Sequence, residues 1–115
     1  STPETHGFIG AAELSRMKPG SYLINVARGE LVDEAALGAA LRAGHLAGAA
    51  SDTFVAEPLP STSPLYDAPN LLISPHMAPN AVGWQHRTLA LFAENFERWT
   101  SGRRLKNIVE KKRGY

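Results

Sequence analysis

The sequence contains no cysteine, which excludes disulfide bonds and thiolate metal sites. This absence also fits a reducing compartment, and we expect a cytoplasmic protein. No apolar run approaches the roughly 20 residues that a membrane-spanning helix requires, and the first five residues, STPET, lack the basic start and apolar stretch of a signal peptide. The formal net charge of +1 indicates no global field that would attract nucleic acid. We therefore expect neither a membrane nor a nucleic-acid partner.

The residues that are present have the balance of an ordinary globular protein, with 43% apolar and 20% charged residues over 115 positions. This composition excludes a disordered tail, a collagen-like chain and a coiled coil. At about 150 residues per domain, the length corresponds to one domain or less. Because the chain does not begin with methionine and its first residues read as a loop, we expect a truncated protein.

The first half of the chain predicts alternating helices and strands. A short helix is predicted over 11–17. The apolar run over 21–27 has β-forming residues on both faces, which is typical of a strand buried on both sides in a parallel sheet. A helix capped by Asp33 and ended by Gly44 follows. The small residues of 46–54 predict a strand against which a helix can pack closely.

The second half predicts a proline-rich loop over 55–70, a short buried strand over 71–74 and a helix from about 80 to 100. A 3-4-3 spacing in this helix predicts a buried apolar stripe. Its members are Leu89, Phe92, Phe96 and Trp99. Seven of the twelve Lys and Arg residues lie between Arg98 and Arg113. We interpret this basic stretch as a solvated face rather than a site for an anionic partner.

The predicted fold class is α/β with a mostly parallel sheet, because strands alternate with helices along the chain. We assign residues 1–101 to the folded domain, including the long helix, and residues 102–115 to a basic C-terminal segment. Three strands make a thin sheet. At least one of its edges is expected to need a cover from outside the chain.

Functional side chains follow all three predicted strands. These are Arg28, Asp52 and His76, and Glu57 lies in the loop after the second strand. In open parallel sheets, ligands bind at the carboxyl ends of the strands. Arg28 can hold a carboxylate by two parallel hydrogen bonds, and His76 can transfer a proton near neutral pH. Glu57 could pair with His76 and favour its protonated form, and Asp52 could accept a hydrogen bond from a carboxamide.

Each of these four residues also has a structural interpretation. Arg28 could be a surface arginine in a turn, and a satisfied structural histidine is the more frequent case for His76. Glu57 could lie in solvent, and Asp52 could cap the next turn. The sequence has no glycine-rich phosphate loop and no G-x-S-x-G motif. Its histidines show no metal-ligand spacing, so no metal site is predicted.

Several segments resemble the D-isomer-specific 2-hydroxyacid dehydrogenase family, which includes glyoxylate/hydroxypyruvate reductases and D-lactate and phosphoglycerate dehydrogenases. The segments are TPET (2–5), MKPGSYLINVARGELVDE (17–34), GHLAGAASDTFVAEPLP (44–60) and PNLLISPHMA (69–78). The resemblance implies an oxidoreductase that uses NAD or NADP. It also implies that the folded domain is the second half of a Rossmann-type doubly wound parallel sheet that ends in a long C-terminal helix.

The resemblance implies roles for the matching positions. Arg28 would bind the substrate carboxylate, His76 would donate a proton to the ketone, and Glu57 would tune His76. Asp52 would hold the nicotinamide carboxamide. The cofactor-binding residues that the resemblance implies are Val26, Ala27, Arg28, Asp52, His76 and Ala78.

Two positions depart from the family pattern. Pro79 stands where many members have glycine, and Ser51 replaces the usual leucine or valine before the aspartate. The implied partners are a small 2-oxo or 2-hydroxy acid and, for the full-length protein, a second copy of the chain. We expect the isolated chain to be inactive because the phosphate-binding turn would lie upstream. The alternative function is an NAD-sensing, corepressor-like binding module without turnover. The particular acid and the choice of NAD or NADP stay open.

Overall fold

A computed structural model describes residues 1–78 and 82–112 of the chain. The chain divides into two compact units, Ser1–Ala78 and Pro79–Tyr115. The first contains the β-sheet and is called the sheet unit; the second contains the longest helix and is called the helix unit. Within the described ranges, no helix combines the length and apolar character needed to cross a bilayer.

The sheet unit alternates helices and strands in the predicted order. Its regular elements are a 3-10 helix at Pro3–Thr5, α1 at Ala11–Arg16, β1 at Tyr22–Asn25, a second 3-10 helix at Gly29–Leu31, α2 at Glu34–Arg42, β2 at Gly48–Ser51 and β3 at Leu71–Ile73. The three strands are shorter than predicted. The segment 55–70 contains turns but no helix or strand, as its prolines predict.

The three strands form one parallel sheet in the order β1-β2-β3, which confirms the predicted fold class. The central strand, β2, has the sequence GAAS, and its small residues are explained by close neighbours. A Cβ atom on Gly48 would lie 3.0 Å from the Asn70 carbonyl oxygen and 3.2 Å from the Tyr22 ring. Glycine, despite its poor strand propensity, occupies position 48 because a larger residue would require Asn70 or Tyr22 to shift.

The core lies between one face of the sheet and helices α1 and α2. Leu23, Ala49 and Leu71 are paired across the three strands and contact this core. Helix α2 begins as predicted, since the Asp33 side chain accepts a hydrogen bond from the Ala36 amide at 3.0 Å. Each leucine buried here contributes about 1.5–3 kcal/mol. The buried members of the core are Leu14, Val32, Leu37, Leu41, Leu46, Ala49 and Ala68.

The opposite face of the sheet is exposed, so the predictions that the first strand is buried on both sides and that the third strand is buried are wrong. Tyr22, Ile24 and Leu72 are 69%, 70% and 69% exposed. Successive side chains of a strand point to opposite faces, and the core described above covers only one of them. The apolar pattern shows that both faces can be buried, but it does not specify what would cover the second one.

In the helix unit, α3 runs from Trp84 to Thr100. Its predicted start near residue 80 lies outside the described residues, as does the departure at Pro79. The four apolar side chains predicted to form a buried stripe are exposed, so that prediction is wrong. Their exposed fractions are 64%, 67%, 58% and 69% for Leu89, Phe92, Phe96 and Trp99. The spacing places them on one helix face without determining what packs there.

Basic residues in the last turn of α3 and in the segment after it contact acidic side chains of the helix. Glu94 pairs with Arg98 at 3.1 Å and with Lys106 at 2.6 Å, and Glu97 pairs with Arg103 at 3.2 Å. Exposed ion pairs of this kind add little stability. They show that three charges of the basic stretch, those of Arg98, Arg103 and Lys106, are paired with acidic residues of the same unit.

Candidate active site

The carboxyl ends of the three strands carry the residues singled out from the sequence. Arg28 lies three residues after β1, Asp52 directly after β2, and His76 three residues after β3. Asp52 and Glu57 both form hydrogen bonds with the segment that follows β3. The predicted parallel topology therefore brings these side chains together on the side of the sheet where all three strands end.

The turn after β1 is built on the Asn25 side chain. This buried amide donates to the Arg28 carbonyl at 3.0 Å and accepts from the Ala27 amide at 3.1 Å. The Arg28 side chain is exposed, and its Nη1 donates to the Ala27 carbonyl at 2.7 Å. Asn25 thereby fixes the backbone that presents the guanidinium at the strand end.

The imidazole of His76 and the carboxylate of Glu57 form a close pair. Nδ1 of His76 lies 2.6 Å from Oε2 of Glu57, and the other carboxylate oxygen accepts from the Phe54 amide at 2.8 Å. The His76 hydrogen bond, and next the Phe54 amide, lower the pKa of Glu57; the charge of Arg28 acts in the same direction. Glu57 is therefore an ionised acceptor at neutral pH, so Nδ1 carries the hydrogen of the pair. Nε2 of His76 lies outside this pair, where a ring nitrogen can donate or accept a hydrogen bond to a ligand.

The Asp52 carboxylate is buried and accepts three hydrogen bonds from the segment after β3. Oδ1 accepts from the Ser74 hydroxyl at 2.6 Å and from the Met77 amide at 2.9 Å; Oδ2 accepts from the Ala78 amide at 2.7 Å. The Ser74 hydrogen bond is the largest cause that lowers the pKa of Asp52, ahead of the two amides and against the opposing effect of burial. Each carboxylate oxygen has about two acceptor positions, so Oδ2 keeps one for a further donor.

The remaining predicted cofactor contacts are small apolar residues at the same edge. Val26, Ala27 and Ala78 are exposed. Beside the His76–Glu57 pair lies an open cleft of about 450 Å³. Its other walls include Phe54, Leu59, Tyr66 and Ile73. Within residues 1–78 and 82–112, no group of three His, Asp or Glu side chains is placed to hold a metal ion.

Sequence reasoning missed two residues that organise this edge, Asn25 and Ser74. The end of an apolar strand is an unusual place for a buried asparagine, and that position is the signal that could have singled out Asn25. Ser74 carries no comparable local signal, because its partner Asp52 lies 22 residues away in the chain.

A three-stranded parallel sheet with an arginine and an imidazole–carboxylate pair beyond the carboxyl ends of its strands is an α/β domain of the kind that binds ligands at those strand ends. The chain belongs to the D-isomer specific 2-hydroxyacid dehydrogenase family, whose NAD binding domain model matches residues 1–78. The chain is 43% identical over 108 residues to glyoxylate/hydroxypyruvate reductase B of Pectobacterium carotovorum. That match covers 94% of this chain and 34% of the relative, so the chain spans about a third of the curated relatives' length.

Solved structures of the family superpose on the whole chain. A D-isomer specific 2-hydroxyacid dehydrogenase from Xanthobacter autotrophicus Py2, in complex with NADPH and MES, has a TM-score of 0.86 and 45% identity over 100% of this chain and 47% of that one. The NADPH-dependent glyoxylate/hydroxypyruvate reductase of Sinorhizobium meliloti, in complex with NADP and sulfate, has a TM-score of 0.86 and 32% identity. That superposition covers 100% of this chain and 37% of the reductase. These neighbours confirm the Rossmann-type assignment.

Proposed function

We propose that this chain is the part of an NAD(P)-dependent 2-hydroxyacid dehydrogenase that holds the substrate carboxylate, the acid–base pair and the nicotinamide end of the cofactor. The observation that carries the proposal is the 2.6 Å contact between His76 and Glu57 at the sheet edge where Arg28 is exposed. The substrate class is a small 2-oxo acid, which the names of the relatives support.

Arg28 binds and orients the substrate. Its guanidinium can form two parallel charge-assisted hydrogen bonds to the carboxylate, and such contacts contribute about 1.5–3 kcal/mol. Because Arg28 and His76 both follow the carboxyl ends of parallel strands, a carboxylate held by Arg28 would place the adjacent 2-oxo group towards the His76 ring. Arg28 can polarise the same oxygen.

His76 moves the proton. Glu57 holds Nδ1, so Nε2 donates to the 2-oxo oxygen as negative charge develops there and takes the proton back in the reverse direction. General acid catalysis of this kind contributes about 10²–10⁴ in rate. The side chains of His76 and Glu57 are 38% and 35% exposed, so the pair is accessible to a ligand.

The residues beyond the carboxyl ends of the strands have the chemistry to contact a nicotinamide. Val26, Ala27 and Ala78 offer small exposed apolar contacts, and Asp52 Oδ2 retains an acceptor position suited to a carboxamide N–H. When bound, the reduced nicotinamide supplies the hydride for the carbonyl carbon. The chain's contribution is to orient that ring against the substrate held by Arg28. The roles of these four residues at the cofactor rest on the family resemblance together with this chemistry.

The test uses the product of the complete reading frame that encodes this sequence. NADH and NADPH fluorescence is followed with glyoxylate, hydroxypyruvate or pyruvate for the wild type, His76→Ala and the control His86→Ala, which changes an exposed histidine of α3. His76→Ala is expected to lower turnover about 100-fold or more with little change in cofactor affinity, whereas the control keeps wild-type turnover. Equal turnover in His76→Ala and wild type would refute the role of His76. Cofactor binding with no turnover of any acid would instead favour a sensing module.

The isolated 115 residues are expected to turn over none of these acids, because they span only 34% of the matched reductase. Activity of this chain alone would contradict that expectation. We also propose that the whole reductase is a cytoplasmic homodimer, on the basis of the family resemblance. The mass of the complete gene product in solution tests the dimer, and fractionation of cells tests its location.

A further inference from the structure

The chain reverses at His76 in a backbone conformation that is unfavourable for residues with a side chain. His76 has φ +51°, in the left-handed region. Steric contact between Cβ and the neighbouring carbonyl disfavours this region for residues other than glycine. A residue persists there when the surrounding structure holds it. The contacts on either side of His76 therefore determine where its ring lies.

Those contacts converge on the Asp52 carboxylate. The Ser74 hydroxyl, two residues before His76, donates at 2.6 Å. The Met77 and Ala78 amides, one and two residues after it, donate at 2.9 and 2.7 Å. The Ser74 amide also donates to the Ser51 carbonyl at 3.1 Å. This bond ties the first residue of the turn to the last residue of β2. One carboxylate thus ties both sides of the left-handed turn to the end of β2.

We propose that Ser74 is a positioning residue, whose hydroxyl orients the Asp52 carboxylate so that it holds the Met77 and Ala78 amides and fixes the turn that presents His76 to substrate. The effect on catalysis rests on the proposed function. Ser74 acts through Asp52 and the turn, and none of its hydrogen bonds reaches Glu57 or the imidazole itself.

The geometry explains why a hydroxyl is needed. The Asp52 carboxylate can rotate about its terminal torsion, and terminal torsions of this type are broad. The Ser74 hydroxyl and the Met77 amide share Oδ1, which leaves Oδ2 directed at Ala78. Without the hydroxyl, the carboxylate loses its shortest contact and one of the three hydrogen bonds that restrain its rotation. The same hydrogen bond lowers the pKa of the Asp52 carboxyl and so favours its ionised form, and an ionised acceptor holds amides more strongly.

The first measurement is amide hydrogen exchange by NMR on the 115-residue chain. Ser74→Ala is expected to speed exchange of the Met77 and Ala78 amides about tenfold or more, because a charge-assisted hydrogen bond is lost. Ser74→Thr keeps the hydroxyl and should restore slow exchange. The control Ser15→Ala removes a distant hydroxyl that donates to the Ala12 carbonyl. Unchanged exchange in Ser74→Ala would overturn the proposed restraint.

The second measurement is the kinetics of the complete gene product. Ser74→Ala should lower kcat for 2-oxo acid reduction about tenfold or more, because misplacing a proton donor by about 1 Å is costly. The KM for NADH or NADPH should rise as well, because the same Asp52 carboxylate is the proposed acceptor for the nicotinamide carboxamide, and Ser74→Thr should recover both values. A purely structural role would reduce the amount of folded enzyme and leave its kcat intact. Ser74→Cys carries a thiol, which is a weaker donor of similar size, so its kcat should fall less than that of Ser74→Ala. It is the variant to measure if Ser74→Ala does not fold.

Two outcomes separate this proposal from the proposed function. If His76→Ala lowers turnover and a folded Ser74→Ala or Ser74→Cys enzyme keeps wild-type kcat, the positioning role is refuted while the function stands. If His76→Ala keeps full turnover, the proposed function fails. The exchange experiment then still decides whether Ser74 and Asp52 hold the turn.

Discussion

A Cβ atom on Gly29 would lie 2.0 Å from the carbonyl carbon of Phe54. Gly29 directly follows Arg28, and Phe54 donates its amide to Glu57. The backbone segments that carry the arginine and the glutamate of the candidate site therefore touch at this point. Gly29 is needed for this close approach, because any side chain at position 29 would collide with backbone that cannot rotate away.

Replacing Gly29 by alanine is expected to separate these two segments. The free energy of unfolding should fall by about 1–3 kcal/mol, as for other substitutions that overpack a site. Urea unfolding followed by circular dichroism measures it. Gly10→Ala is the control, since its Cβ would meet its nearest neighbours at 3.5 Å, and it should cost only about 0.5–1 kcal/mol, as alanine does at a helix N-cap. An equal loss in both variants would contradict the role of the Phe54 contact.

Asn25→Ala should destabilise the turn that presents Arg28. The substitution leaves the Arg28 carbonyl and the Ala27 amide without the partner that Asn25 supplies. Loss of buried partners of this kind costs about 1–3 kcal/mol. Asn95→Ala is a matched control, because the Asn95 amide also makes two hydrogen bonds to backbone, with Lys106, and these bonds are exposed, so water can replace them. Both variants are measured by chemical unfolding. If Asn95→Ala lowered the free energy of unfolding as much as Asn25→Ala, burial would not explain the effect.

Thr53 and Ser51 are neighbouring buried hydroxyls with opposite expected effects. The Thr53 hydroxyl is buried without a hydrogen-bond partner among the described residues, whereas Ser51 donates to the Thr53 carbonyl at 2.9 Å. Thr53→Val keeps the shape and removes the unpaired group, so it should raise the free energy of unfolding by about 1 kcal/mol. Ser51→Ala should lower it by about 1 kcal/mol. Thermal and urea unfolding measure both, and a destabilised Thr53→Val chain would contradict this explanation.

Acid should weaken the sheet unit through Glu57 and Asp52. Hydrogen bonds from His76 and from Ser74, respectively, hold the pKa values of these carboxyls below their ordinary range. A carboxyl with a lower pKa in the folded state stabilises it above the unfolded-state pKa, and this contribution is lost as pH falls through the folded-state pKa.

Glu57→Gln isolates the contribution of Glu57, because glutamine does not titrate. The midpoint of thermal unfolding of Glu57→Gln should lie below that of the wild type at neutral pH. The gap should close progressively below about pH 4, where the carboxyl begins to take up protons. Circular dichroism melts across that range measure it, and a gap that persists undiminished in strong acid would contradict the assignment.

Local chemistry in the sequence was sufficient for part of the fold. Asp33 begins α2 through its own hydrogen bond, and the prolines of 55–70 exclude regular structure. The small residues of β2 give a weak strand signal, and only the close approach of Asn70 and Tyr22 explains the glycine at position 48. The exposed face with Ile24 and the exposed stripe with Phe92 were predicted wrongly, since apolar spacing shows which side chains share a face and not what covers them.

The sequence by itself determined the alternation of strands and helices, and hence that Arg28, Asp52 and His76 follow strand ends; parallel topology then places such ends at one edge. Only the tertiary structure decided which of these side chains meet. The His76–Glu57 pair spans 19 residues and the Ser74–Asp52 pair spans 22. The physical reason is that hydrogen bonds between distant segments depend on strand register and backbone turns within a few tenths of an ångström, which local residue preferences do not encode.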